Sequence, residues 1–131
     1  MQTQKNYETF SGCVVHGLTI GRTMGFPTAN IEVTSGCLPP QGIYLTRISF
    51  NRKDFFGIMN IGTKPTIDGK NLSIEIHILD FDEDIYNLQV TVLPIEKLRD
   101  EKKFTSLALL RQQIEKDKEI ALKKIQQIQS I

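Results

Sequence analysis

The run Gly21-Arg22-Thr23-Met24-Gly25-Phe26-Pro27-Thr28-Ala29-Asn30 carries more chemical information than any other stretch of the chain. Two glycines and an arginine lead into a proline-set turn and then into hydroxyl and amide side chains, with Gly17 just upstream. Such a stretch can aim several backbone N–H groups at one point, which suits phosphate oxygens. Neither GxxxxGK[ST] nor GxGxxG is present, so phosphate would be held differently from a Walker loop or a dinucleotide fingerprint. If Thr28 to Asn30 is extended, the two polar side chains face the same way. A plain turn with Asn30 capping it accounts for the same residues.

A second chemical stretch is Ile74-Glu75-Ile76-His77-Ile78-Leu79. On a strand the three isoleucines point to one face and Glu75, His77 and Leu79 to the other. A carboxylate and an imidazole thus share a face while the isoleucines fill a core. From alternation alone this is an outward-facing polar row on a half-exposed strand. His16 and His77 are the only histidines and lack a third ligand at sensible spacing, which speaks against zinc. No serine has a nucleophile-elbow context. Cys13 and Cys37 have no metal-site spacing and read as reduced thiols, at least one of them packed as a small hydrophobe.

These residues need a scaffold. At 131 residues the chain is one domain, long enough to bury about two-thirds of its unfolded surface. A net charge of +1 provides no electrostatic footprint for nucleic acid or anionic membrane. No apolar run is long enough to span a bilayer, and Met1 to Lys5 has no signal core, so the expected compartment is the cytoplasm. Short strands are expected around Cys13–His16, Ala29–Val33, Ile43–Phe50, Phe55–Ile61, Leu72–Leu79 and Gln89–Ile95. Asn51 to Asp54 should close a hairpin. With no helical pattern between the strands, a sandwich or barrel is favoured over a parallel sheet. Leu107, Leu110, Ile114, Ala121, Ile125 and Ile128 then recur near helical spacing, with Thr105 or Ser106 as N-cap. Asp117 falls among alternating lysines and glutamates and reads as part of a solvated helix face.

Taken together, several blocks resemble the riboflavin kinase (flavokinase) family. The glycine-arginine loop into Gly25-Phe26-Pro27-Thr28-Ala29-Asn30 is similar to its signature. Asn60-Ile61-Gly62 with Lys64-Pro65-Thr66, then Glu75 to Phe81, then Leu98-Arg99-Asp100-Glu101-Lys102-Lys103-Phe104 follow in family order. The resemblance implies an all-β fold with a C-terminal helix: a closed, six-stranded antiparallel Greek-key barrel over about 11–96, with residues 1–10 peripheral. A flavin loop is expected at about 97–104 and a helix at about 105–129, packed outside.

The implied activity is transfer of the γ-phosphate of ATP to the terminal ribityl hydroxyl of riboflavin, giving FMN. Glu75 matches the catalytic base. Thr28 and Asn30 match the positions that hold Mg²⁺ and the ATP phosphates. Gly17, Arg22, Ile78 and Tyr86 match nucleotide positions, although Arg22 serves equally as a surface arginine and Ile78 and Tyr86 as core. Arg99, Lys102 and Phe104 match the flavin segment, where Phe104 can also be a hydrophobic staple at the helix entry. Expected partners are riboflavin and ATP, with no nucleic acid and no membrane. The chain is expected to act as a monomer, with an adenylyltransferase domain only in a longer parent chain. The other reading is a flavin- or nucleotide-binding barrel without catalysis. Many relatives have glycine where this chain has Asn87, which tolerates positive φ.

Overall fold

The computed structural model describes residues 7–15, 28–66 and 69–129, with backbone alone at 64–66 and 69–71. Six strands precede one helix: β1 (Phe10–Val15), β2 (Ala29–Gly36), β3 (Gly42–Phe50), β4 (Lys53–Thr66), β5 (Gly69–Ile78), β6 (Gln89–Arg99) and α1 (Leu107–Gln129). All pairings are antiparallel, and the order β1-β2-β5-β4-β3-β6 closes into a barrel. β3, β4 and β5 form a meander, and β6 returns beside β3, which is the Greek-key connection. Closure removes the exposed strand edges of an open sheet. Each expected strand is present, and most run longer than the alternation indicated. β1 starts at Phe10, before the barrel boundary at 11, and β6 runs to Arg99, so the loop after it begins at Asp100. His16 and the loop 17–27 lie outside the described residues.

Alternation fills the barrel. Phe10, Val14, Tyr44, Ile48, Met59, Ile61, Ile74, Ile76, Val90 and Val92 point inward and are buried. A second, smaller cluster lies outside the wall, where Leu45 and Leu79 pack against Ala121 and Ile125 of α1. Fully burying such side chains is worth about 1.5–3 kcal/mol each. Two bulges in β6 make this docking possible. The register with β3 slips between Ile43 and Tyr44 and again between Leu45 and Thr46. A bulge turns two successive residues to one side of the sheet. Ile95 and Leu98 thereby enter the outer cluster, while their neighbours Glu96 and Arg99 reach α1 at Lys124 and Asp117.

Local chemistry sets the ends. Ser106 Oγ accepts a hydrogen bond from Leu109 N at 3.2 Å, making Ser106 the N-cap of α1. Asn51 and Arg52, at φ 52° and 62°, form the tight β3–β4 turn. Asn87 adopts φ 74°, a left-handed conformation that asparagine tolerates, and donates its N–H to Val14 O at 2.9 Å.

Candidate active site

The strand registers bring the chemistry together. Val15 pairs with Asn30, Asn30 with Glu75, Glu75 with Asn60, Asn60 with Ile43 and Ile43 with Arg99. One row of directly paired residues therefore passes through all six strands in barrel order. Paired residues share a face, and this row faces outward because Ile74 and Ile76, on either side of Glu75, are in the core.

A cavity of about 230 Å³ lies against that face. Its floor is Thr28, Ile43, Ile58, Asn60, Glu75 and His77 from the barrel wall. Glu101, Lys102 and Phe104 of the 100–104 loop close one side, and Leu110, Ile114 and Asp117 of α1, with Arg99 beneath, form the other. The lining thus joins an apolar surface suited to a planar ring with the carboxylates of Glu75, Glu101 and Asp117, the cations Arg99 and Lys102, the His77 imidazole and the neutral Thr28 and Asn60. The loop sits close to the wall, so that a methyl group added at Gly62 would collide with the Glu101 carboxylate.

Of the residues singled out in the sequence, Thr28, Glu75, Arg99, Lys102 and Phe104 line the cavity, and Asn30 stands beside Glu75 in the row. Gly17 and Arg22 lie outside the described residues. Ile78 is buried in the barrel core on the face opposite Glu75, and Tyr86 lies on an exposed turn where Asp84 Oδ1 accepts its N–H at 2.9 Å. Neither borders the cavity.

Asp117 corrects the expectation of a solvated helix face. It is 3 % exposed, and its carboxylate accepts hydrogen bonds from Arg99 Nε at 2.8 Å, Arg99 Nη2 at 2.7 Å and Gln113 Nε2 at 3.0 Å. Arg99 Nη1 also donates to Asp100 O at 2.9 Å. The Arg99 guanidinium is therefore committed to anchoring the loop to the helix.

Thr28 Oγ1 and Asn60 Oδ1 are buried without a hydrogen-bond partner, and both residues line the cavity. Buried polar atoms are rarely left so. Among the described residues no group of three or more His, Cys, Asp or Glu is placed to hold a metal ion. Thr28 Oγ1 is a buried, unpartnered neutral oxygen of the kind that a hard cation such as Mg²⁺ takes alongside phosphate oxygens and water. The described residues do not make a protein cage of the zinc type.

Further along the loop's base, Lys97 Nζ pairs with Asp100 Oδ1 at 2.6 Å. Their hydrogen bond holds the Asp100 carboxyl below its ordinary range and raises the Lys97 amine. Both cysteines are free thiols, Cys13 half-buried and Cys37 exposed. A hydrogen bond to Glu8 pushes the Cys37 thiol up.

Among the described residues, a closed Greek-key barrel with a cavity between its outer wall, the 100–104 loop and α1 defines a small β-barrel domain with a cleft beside Glu75. The riboflavin kinase family model, Flavokinase, matches residues 4–125. The chain belongs to that family. A bifunctional riboflavin kinase/FMN adenylyltransferase from Haemophilus influenzae is 42 % identical over 118 residues, covering 89 % of this chain and 38 % of that protein. The chain therefore spans little more than a third of that relative's length. The crystal structure of riboflavin kinase from Trypanosoma brucei superimposes with a TM-score of 0.66 at 26 % identity, over 92 % of this chain and 81 % of that one. A crystal structure described as a macrolide-efflux protein from Streptococcus pneumoniae has a TM-score of 0.81 at 34 % identity, over 86 % of this chain and 38 % of that one. Among the described residues no helix is long and apolar enough to cross a membrane.

Proposed function

We propose that this chain is an ATP:riboflavin 5′-phosphotransferase that produces FMN and ADP. The observation that carries the reading is the Asn30–Glu75–Asn60 row, which sets one carboxylate between polar neighbours on the wall of a partly apolar cavity. The β2 side of Glu75, with Thr28 and Asn30 and the preceding glycine-arginine loop, receives the nucleotide phosphates. The opposite side, with Ile43, Ile58, Phe104, Leu110 and Ile114, receives the flavin.

Glu75 accepts the proton of the terminal ribityl hydroxyl while that oxygen bonds to the γ-phosphorus. The bond from the γ-phosphorus to the β–γ bridging oxygen breaks, and its electron pair leaves with ADP. General-base help of this type is worth about 10²–10⁴ in rate. Thr28 and Asn30 would hold Mg²⁺ together with the ATP phosphates, and the ion would supply neutralisation of phosphate charge. Arg99 serves by fixing the loop, while Lys102 and Phe104 cover the flavin. A site that encloses a drug-sized ligand spans about 300–1,000 Å³, more than the cavity of about 230 Å³. The 100–104 loop, which borders the cavity, is the element placed to adjust around the flavin. The cytoplasm, which supplies ATP, is the compartment this reading assigns.

The test is an assay of the purified chain with riboflavin, ATP and Mg²⁺, following FMN by chromatography beside Glu75→Gln. FMN from the wild type and at least about 10²-fold less from the variant is the expected result. A folded chain that binds riboflavin and yields no FMN would instead be a non-catalytic flavin-binding barrel. Adenylylation of FMN is not expected from this chain, and FAD in the same chromatogram would contradict that.

A further inference from the structure

Asn60 takes no part in the reaction as described, yet it lines the cavity directly beside Glu75. It lies within β4 between the core residues Met59 and Ile61 and faces outward into the cavity. Asparagine is disfavoured in strands, and its Oδ1 is buried with no hydrogen-bond partner. Leaving a buried acceptor unpaired costs stability, so its presence points to a donor that arrives with a ligand.

The register says which ligand group. Asn60 is the direct neighbour of Glu75 on one side and of Ile43 on the other, each about 4.8 Å away across the ladder. Thr28 and Asn30 lie beyond Glu75 on the opposite side, toward β2. Asn60 therefore stands between the proton acceptor and the apolar lining of Ile43, Ile58 and Phe104. A neutral oxygen there matches a hydroxyl donor on a chain that links a ring to the reacting alcohol. We infer that Asn60 is a specificity-determining residue of the acceptor site: its Oδ1 accepts a hydrogen bond from a secondary hydroxyl of the ribityl chain and holds the terminal hydroxyl at Glu75. This rests on the riboflavin kinase reading above. No proton is transferred at Asn60.

The test compares riboflavin with lumiflavin, which has a methyl group in place of the ribityl chain. Both are titrated by flavin fluorescence against wild type and Asn60→Ala, with ligand-free thermal unfolding and FMN formation measured on the same preparations. The variant should bind riboflavin about tenfold more weakly and lumiflavin as well as wild type does. Its ligand-free Tm should be equal or higher, because an unpaired buried acceptor has been removed. KM for riboflavin should rise while KM for ATP and the Mg²⁺ dependence stay put. Equal weakening of both flavins or a lowered Tm would make Asn60 a packing residue, and a shifted Mg²⁺ dependence would make it a metal ligand; each overturns the inference. If wild type binds riboflavin but makes no FMN, the kinase reading falls and the two-flavin comparison still decides Asn60. If FMN forms and Asn60→Ala keeps full riboflavin affinity, only the inference falls.

Discussion

Arg99 and Asp117 meet along two parallel hydrogen bonds, Nε to Oδ1 at 2.8 Å and Nη2 to Oδ2 at 2.7 Å, so that the last residue of β6 grips the middle of α1. The same guanidinium binds the Asp100 carbonyl at 2.9 Å, which fixes the first residue of the loop over the cavity. One pair thus ties barrel, helix and loop together. Removing one partner of a buried ion pair strands the other, at about 3–5 kcal/mol. With Arg99 still 17 % exposed, Asp117→Ala should cost about 3 kcal/mol in denaturant unfolding, the low end of that range. Arg99→Met with Asp117→Leu should recover most of that stability while raising KM for riboflavin, because the loop loses its anchor at Asp100. A loss below about 1 kcal/mol in Asp117→Ala, the range of a surface pair, would show that the pair is not a structural clamp.

Thr28 offers a separate test of the donor side. Its Oγ1 is buried and unpaired, so Thr28→Ala removes no internal hydrogen bond and should leave the unfolding midpoint nearly unchanged. The Mg²⁺ concentration needed for half-maximal FMN formation should rise by about tenfold, the value of one lost polar contact to a charged ligand set. An unaltered Mg²⁺ titration with reduced turnover would assign Thr28 to positioning alone.

Much of this arrangement was legible from the residues. Alternation through Ile74 to Leu79 placed three isoleucines inside and Glu75, His77 and Leu79 outside, as found. Motif resemblance brought in the barrel, which alternation could not distinguish from a sandwich. Asp117 was misread because charge was weighed before period. The helix face Leu110, Ile114, Ala121, Ile125, Ile128 has a gap that Asp117 fills at the core position. That gap was the available signal for a buried carboxylate. Asn60 carried a similar one, an amide between two core hydrophobes on a strand. Of the two bulges in β6, one had a signal in Pro94, since proline within a strand is confined to edges, first residues and bulges. Nothing in Ile95 to Arg99 demands the second slip. Together they decide that Arg99 faces the helix, and strand pairing alone places the second.

The Lys97–Asp100 pair predicts a pH signature for the loop's base. The folded Asp100 carboxyl titrates below its ordinary 3.8, so its contribution is complete above that value and disappears as pH falls through the lowered pKa. The Lys97 amine titrates above its ordinary 10.5, so its contribution is complete below that value and is lost as pH rises through the raised pKa. The difference in Tm between wild type and Asp100→Asn should therefore be flat from roughly pH 5 to 10 and shrink on both flanks. Because the pair is exposed, added salt should flatten the whole profile. A difference that grows toward acid pH would contradict the pairing.

The β3–β4 turn offers a stabilising change remote from the cavity. Asn51 and Arg52 both occupy positive φ, at 52° and 62°, the geometry of a two-residue type I′ hairpin turn. Asparagine adopts this region readily, whereas arginine meets the Cβ clash that makes it unfavourable. Glycine at the second position removes the clash, and its greater freedom in the unfolded chain offsets part of the gain. Arg52→Gly should therefore stabilise the barrel by up to about 1 kcal/mol, and Asn51→Gly by much less. Neither residue borders the cavity, so riboflavin affinity and turnover should be unchanged. Denaturant midpoints for the two variants, read beside FMN formation, check both halves. A destabilised Arg52→Gly would mean that its side chain contributes more to the hairpin than its backbone strain removes.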